Sequence, residues 1–222
     1  VLLKDAEALA GGLSNPSKMP GHGYSLPAKA CVTGSKLHKI KGTVCRKCYA
    51  LRGHYRYRRV REALEKRLAS LTDPLWEDAM VELISARETS GAFRWHDSGD
   101  LQGVWHLERI CRVCERTPEV RHYLPTREYR MVRDYLRAGG VIPSNLVVRL
   151  SAHLVDGPAP EVAHPTDGTL LPRATVVSSG TPGVFDKETG AFHCPATLWE
   201  NTCNRCRACW KSTIPLIAYP LH

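Results

Sequence analysis

Strand-like runs that end in a polar tip and lead into a helix-patterned stretch recur along this chain, and that alternation restricts its fold more than any other feature. "GYSLP" (Gly23 to Pro27) leads through a loop into a helix pattern in which Val60, Leu64, Leu68 and Leu71 share one face. Asp73 before Pro74 opens another helix through Trp76, Met80, Leu83 and Ile84. "AFRWHDSGDL" precedes a helix from Val104 to Arg116, and "VRHYLPTRE" precedes one from Tyr129 to Ala138, stopped by Gly139 and Gly140. "NLVVRLSAH" and "ATVVSSG" read as buried strands, and "IPLIAYPLH" as the last. Strands separated by helices pair in parallel, so the expected fold is α/β, a partial (β/α) barrel or curved open sheet of about six mainly parallel strands. At 222 residues the chain makes a single domain over 1–222. The barrel core covers 24–191, a cysteine-rich appendage 192–210 and the last strand 211–222, while Asp156 to Pro172 reads as a surface loop.

Nine cysteines, an odd count, argue for metal binding over a disulfide framework. Cys194, Cys203, Cys206 and Cys209, spaced C-x8-C-x2-C-x2-C, can surround a [4Fe-4S] cluster or a tetrahedral zinc ion. Three cysteines at two-residue intervals favour iron–sulfur, because zinc sites more often split into separated pairs. Cys31, Cys45 and Cys48 supply three thiolates after the first strand, which would leave one iron of a cubane open to a small molecule. Zinc completed by His38 or His54 is the alternative there. Cys111 and Cys114 share a helix face with apolar neighbours and read as core.

Polar residues collect at the carboxyl ends of the expected strands, where parallel α/β folds place their sites. His96, Asp97 and Asp100 are candidate acid or base groups. Ser98, Gly99 and Asp100 suit an ammonium group, Gly99 allowing close backbone approach, and a tight turn with Asp100 capping the next helix is the plainer reading. Arg127, Glu128, Ser151 and His153 complete the set, the first two as an ion pair or an anion contact. Thirty-one lysines and arginines against 22 acids give a formal charge of +9, which favours anionic partners. Arg52, Arg56, Arg58, Arg59 and Arg61, interleaved with Tyr49, Tyr55 and Tyr57, follow Cys48 on a helix-like run. They can contact phosphates while a tyrosine stacks on an unpaired base, or form an ordinary solvated face. No apolar run reaches the roughly 18 residues that span a bilayer, and the first residues lack a signal peptide's layout, so a cytoplasmic protein with no membrane partner is expected.

The motifs "NPSKMPGHGYSLPA", "CVTG", "VCRKCYA", "RWHDSGDLQ", "PSNLVVRLSAHLVDG" and the closing "CP...C..CRACW" resemble the phage family called gene product 88, found in actinobacterial phages. The resemblance runs from about Leu13 to His222 and implies the host cytosol as the setting. More distantly the chain is similar to radical S-adenosylmethionine enzymes. That similarity implies a partial (β/α) barrel, a three-cysteine cluster after the first strand, a Gly-Gly-Glu-like motif matched by Ser98, Gly99 and Asp100, and an auxiliary C-terminal cluster. It also implies adenosylmethionine as cofactor and a nucleic acid or nucleotide as plausible substrate. The thirteen-residue gap between Cys31 and Cys45 departs from the C-x3-C of those enzymes. The other expectation is a non-catalytic iron–sulfur or zinc protein that binds nucleic acid or a host protein.

Overall fold

The structure, a computed structural model, describes residues 1–221; His222, at the end of the expected last strand, lies outside the described residues. Six helices and eight strands alternate much as the periodicity predicts. The helices are α1 (Leu3–Ala10), α2 (Val32–Leu37), α3 (Arg58–Ser70), α4 (Trp76–Arg87), α5 (Val104–Glu115) and α6 (Tyr129–Arg137). The strands are β1 (Gly23–Tyr24), β2 (Ala92–Trp95), β3 (Arg121–Thr126), β4 (Leu146–Val155), β5 (Arg173–Val177), β6 (Phe185–Asp186), β7 (Ala191–His193) and β8 (Leu216–Pro220). They form one open sheet in the order β1-β2-β3-β4-β5-β8-β7-β6, parallel throughout except for the antiparallel β6–β7 pair. About six strands were expected; the two additional ones are the short β6 and β7, beside the cysteine-rich segment.

Side chains alternate across the sheet with the two-residue period of a strand. One face carries Phe93, Trp95, Leu124, Val148 and Leu150 and packs under the helices with Met80, Leu83, Leu107, Ile110, Val132 and Leu136. Cys111 and Cys114 belong to that core, and burial pushes the Cys111 thiol up to about 11. The other face carries Ala92 and Tyr123, and Trp210 packs on them with Met19 and Cys209 against the cluster. The cysteine-rich stretch is therefore no appendage. Phe192 and His193 pair with β8, Trp210 Nε1 donates to Phe93 O at 2.8 Å, and Cys203 N donates to Lys18 O at 2.9 Å.

The run after Cys48 corrects a second expectation. It folds as two 3-10 turns, Tyr49–Leu51 and Gly53–Arg56, before α3 begins at Arg58. Gly53 at φ 51° takes the left-handed conformation that interrupts a helix, so the basic run spans a turn and a helix start. The apolar face of α3 lies as expected, with Leu64 and Leu71 buried; Arg67 is buried too, its Nε donating to Gly12 O at 2.9 Å. No helix among the described residues is long and apolar enough to cross a membrane.

Candidate metal centre

Beyond the carboxyl ends of β1 to β4, a set of hydrogen bonds ties neighbouring strand ends together. Asp100 Oδ1 accepts from Leu101 N at 2.8 Å and from Thr126 Oγ1 at 2.6 Å, while Oδ2 accepts from Arg127 N at 2.9 Å. Its carboxylate thus clamps the end of β2 to the end of β3. Burial lifts the Asp100 carboxyl to about 6 in spite of these donors, and Glu128 adds to the lift. Ser98 Oγ donates to Leu26 O at 2.8 Å, and Leu26 N donates to Ser98 O at 2.9 Å. At Gly99, φ +81°, an added Cβ would stand 2.5 Å from Leu26 Cβ, so the residue type is dictated by this close approach.

Glu128 holds the cysteine loop. Its Oε1 accepts from Thr33 N and its Oε2 from Thr33 Oγ1, both at 2.7 Å, which fixes the start of α2 two residues after Cys31. The far side of the loop is tied to the end of β4 by the Thr43–Leu154 bridge and by Val155 N donating to Gly42 O at 3.1 Å. Cys31 and Cys45 are thereby gathered over Gly34, with Cys48 near enough to act on both thiols. A Cβ there would lie 2.9 Å from Cys31 Cβ, 3.5 Å from Cys31 Sγ and 3.7 Å from Cys45 Sγ. Burial pushes the Cys31 thiol well above the usual range, and Asp100, Cys48, Cys45 and Glu128 push it the same way. Cys45 is raised by burial as well, with Arg127 pulling it back. His38 Nδ1 contacts Cys45 O at 2.9 Å and exposed His54 packs on Tyr57, so neither ring is turned to the thiols through those contacts.

The remaining strand-end candidates are structural partners of one another. Arg127 Nε donates to Ala152 O at 3.1 Å and forms no ion pair with Glu128. Tyr129 Oη donates to Ser151 O, and His153 stacks on the Tyr129 ring at 4.4 Å. His96, at φ 55°, turns its ring into the helix-side core, 5.3 Å from His106. Neither ring nitrogen finds a partner, and burial, helped by Arg94, lowers it to about 3. Asp97 stays at the surface of the site, accepting from Tyr49 Oη at its carbonyl and from Tyr55 Oη at Oδ2, and pairing with Arg94 at 3.4 Å.

The second cysteine group lies against the helix-free face. Cys209 Sγ is 3.0 Å from Tyr219 Oη, which is 3.0 Å from Tyr123 Oη. Burial raises the Cys194 and Cys203 thiols to about 11 each, and both are raised further by Cys209 and Cys206. Cys45 and Cys48 thus act on Cys31 at the strand ends, and Cys206 and Cys209 act on Cys194 and Cys203 on the sheet face. Sequence reasoning missed Arg94 and Arg149 beneath the four, because a lone arginine in a strand reads as solvent-facing. Thr33 and Thr43 carried no signal beyond their place in the cysteine loop. Among the described residues, no three His, Cys, Asp or Glu side chains converge tightly enough to hold a single metal ion.

An open, mainly parallel α/β sheet with clustered thiols at its strand ends and a second thiol set on its free face defines the class of protein. The family described as Gene product 88 matches residues 2–212, and the chain belongs to that family. No curated protein and no solved structure matches it.

Proposed function

We propose that the chain is an iron–sulfur protein of this phage family, with one cluster on Cys31, Cys45 and Cys48 and a second on Cys194, Cys203, Cys206 and Cys209. The observation that carries the reading is the sorting of seven cysteines into a three and a four, with Cys31 beside Cys45 and Cys48. Gly34 lies under Cys31 and Cys45, and a side chain there would press on Cys31 Cβ at 2.9 Å. Thiols raised this far stay protonated until a metal displaces the proton, so loading releases protons and strengthens with pH. Zinc draws its sulfurs to about 2.3 Å from one centre, whereas an iron–sulfur core places four irons between them.

Three cysteines leave one iron for a small molecule, and the radical-enzyme likeness, with its partial barrel, would make that molecule adenosylmethionine. At the ammonium cradle anticipated for it, Ser98 to Asp100, Ser98 Oγ and O, both Asp100 carboxylate oxygens and Asp100 O already serve partners within the chain, so an ammonium there would share acceptors that tie the strand ends together. The test is iron, acid-labile sulfide and zinc per chain after anaerobic purification, followed by reductive cleavage of added adenosylmethionine. About eight iron and eight sulfide support two clusters, and zinc without sulfide overturns the reading.

A second reading rests on the exposure of Arg52, Arg56, Arg58, Arg59 and Arg61. They and Tyr57, 60% exposed, offer phosphate contacts and a stacking ring. In this reading the metal shapes a nucleic-acid-binding protein in the host cytosol. Binding of single-stranded oligonucleotide should weaken with salt, and Arg56→Ala, Arg58→Ala and Arg59→Ala together should flatten the log–log slope by up to about 2 to 3. An unchanged slope speaks for a solvated face or a protein partner.

A further inference from the structure

Arg149 poses a charge problem that the polypeptide does not solve. It is 0% exposed, on the helix-free face of β4. Nη1 donates to Arg173 O and Ile214 O, each at 3.0 Å, and Nη2 donates to Lys211 O at 3.1 Å. Its Nε has no partner. Carbonyl dipoles orient the guanidinium and leave its charge unbalanced, and arginine keeps its proton inside proteins. Among the described residues the nearby cations have their own partners, Arg94 with Asp97 at 3.4 Å and Arg173 with Glu161 at 3.4 Å, and no carboxylate pairs with Arg149. A buried cation without a counter-charge is among the costliest features a fold can carry.

What lies beside it is the four-cysteine group. Arg149 grips the backbone at Lys211, two residues beyond Cys209, and again at Ile214. The Cys209 thiol is held by Tyr219 on the same face; burial raises it, and the positive charges of Arg149 and Arg94 work against that rise, which places the Arg149 charge within reach of the sulfur. Four thiolates around an iron–sulfur core carry net negative charge, which is what the buried guanidinium lacks.

We propose that Arg149 is the built-in counter-charge of an anionic metal–thiolate centre on Cys194, Cys203, Cys206 and Cys209, and that it raises that centre's reduction potential. The proposal rests on the iron–sulfur reading and makes Arg149 a positioning residue. Reduction adds one electron and makes or breaks no bond, so the added charge is the whole difference a fixed cation can act upon. In a water-poor site that difference is large.

The test uses the full chain carrying Cys31→Ser, Cys45→Ser and Cys48→Ser, which retains only the second group. Iron and sulfide are counted, and the centre is titrated with dithionite and mediators while its paramagnetic signal is followed. Arg149→Met should move the ratio of oxidised to reduced centre at a given potential at least about tenfold toward oxidised, a fall of 59 mV for one electron. Arg149→Lys keeps the charge, loses the three-carbonyl fork and should stay near the parent. If Arg149→Met does not fold, Arg149→Gln takes its place, since it keeps N–H donors for the carbonyls without the charge. An unchanged potential in the neutral variant overturns the proposal, as does a lysine variant that falls as far as the neutral one. A parent chain without iron and sulfide overturns the iron–sulfur reading together with it.

Discussion

Lowering the pH from 7.5 to 5.5 should cost this fold about 3 kcal/mol net, through three buried histidines partly offset by Asp100. His96 and His122 are each lowered to about 3, and His106 is driven well below the ordinary 6.5, all by burial first. His122 has only Thr117 Oγ1 for company, at 2.9 Å, while its Nδ1 is unpartnered; His106 Nε2 and both His96 nitrogens are unpartnered too. A histidine held neutral in the fold but free to charge when unfolded favours the unfolded chain below pH 6.5, and the loss grows as pH falls toward 3. At pH 5.5 each contributes about 1.4 kcal/mol, together about 4. Asp100 works the other way. Its folded value of about 6 lies above the ordinary 3.8, so the fold takes up a proton first and regains about 1 kcal/mol by pH 5.5. For a chain of this size the net change lowers Tm by roughly 6 to 12 °C. Thermal unfolding at the two pH values checks it, with His122→Phe as control, which should remove about a third of the histidine contribution. A Tm that does not move, or a pH dependence in the control as steep as in the parent, would refute the assignment of neutral buried rings.

Gly34→Ala forces a methyl group 2.9 Å from Cys31 Cβ, so if the proposed first cluster is there, anaerobic iron and sulfide should fall to roughly half. Cys111→Ala, in the helix-side core, should leave the iron content unchanged, which separates packing thiols from ligating ones. Asp97→Ala strips Arg94 of its ion partner and Tyr55 of its acceptor, and should cost about 3 kcal/mol in chemical unfolding. Trp210→Ala removes the hydrogen bond to Phe93 O and the edge contact with Tyr123 at 5.4 Å, for about 3 to 5 kcal/mol by the same assay.

The elements visible in the sequence were those long enough to show a period. β3, β4 and the helices α4 to α6 could be placed from their apolar spacing, and even Pro125 inside β3 misled nothing. It lies beyond Tyr123, where the pairing with β2 ends, so the missing N–H costs no bond on that side. β6 and β7, of two and three residues, are too short for any period, and β7 hides in a stretch whose cysteines suggested a loop. The clustering of polar residues at strand ends was foreseen, but their roles depend on partners distant in sequence. Asp100 is spoken for by Thr126 and Arg127, and Glu128 by Thr33. Arg149 was unreadable because its burial comes from a segment about 60 residues later folding back over it.

The place of β8 governs the order in which the protein can be made. Leu216–Pro220 lies between β5 and β7, and the β6–β7 hairpin joins the sheet only through it. On the ribosome, β1 to β5 and their helices can assemble while the four-cysteine segment is still unanchored. Trp210 can already settle on Ala92 and Tyr123, but Cys194, just past β7, gains its tie to Ala218 O at 2.8 Å only once β8 has paired, so it is the last of the four cysteines to be placed.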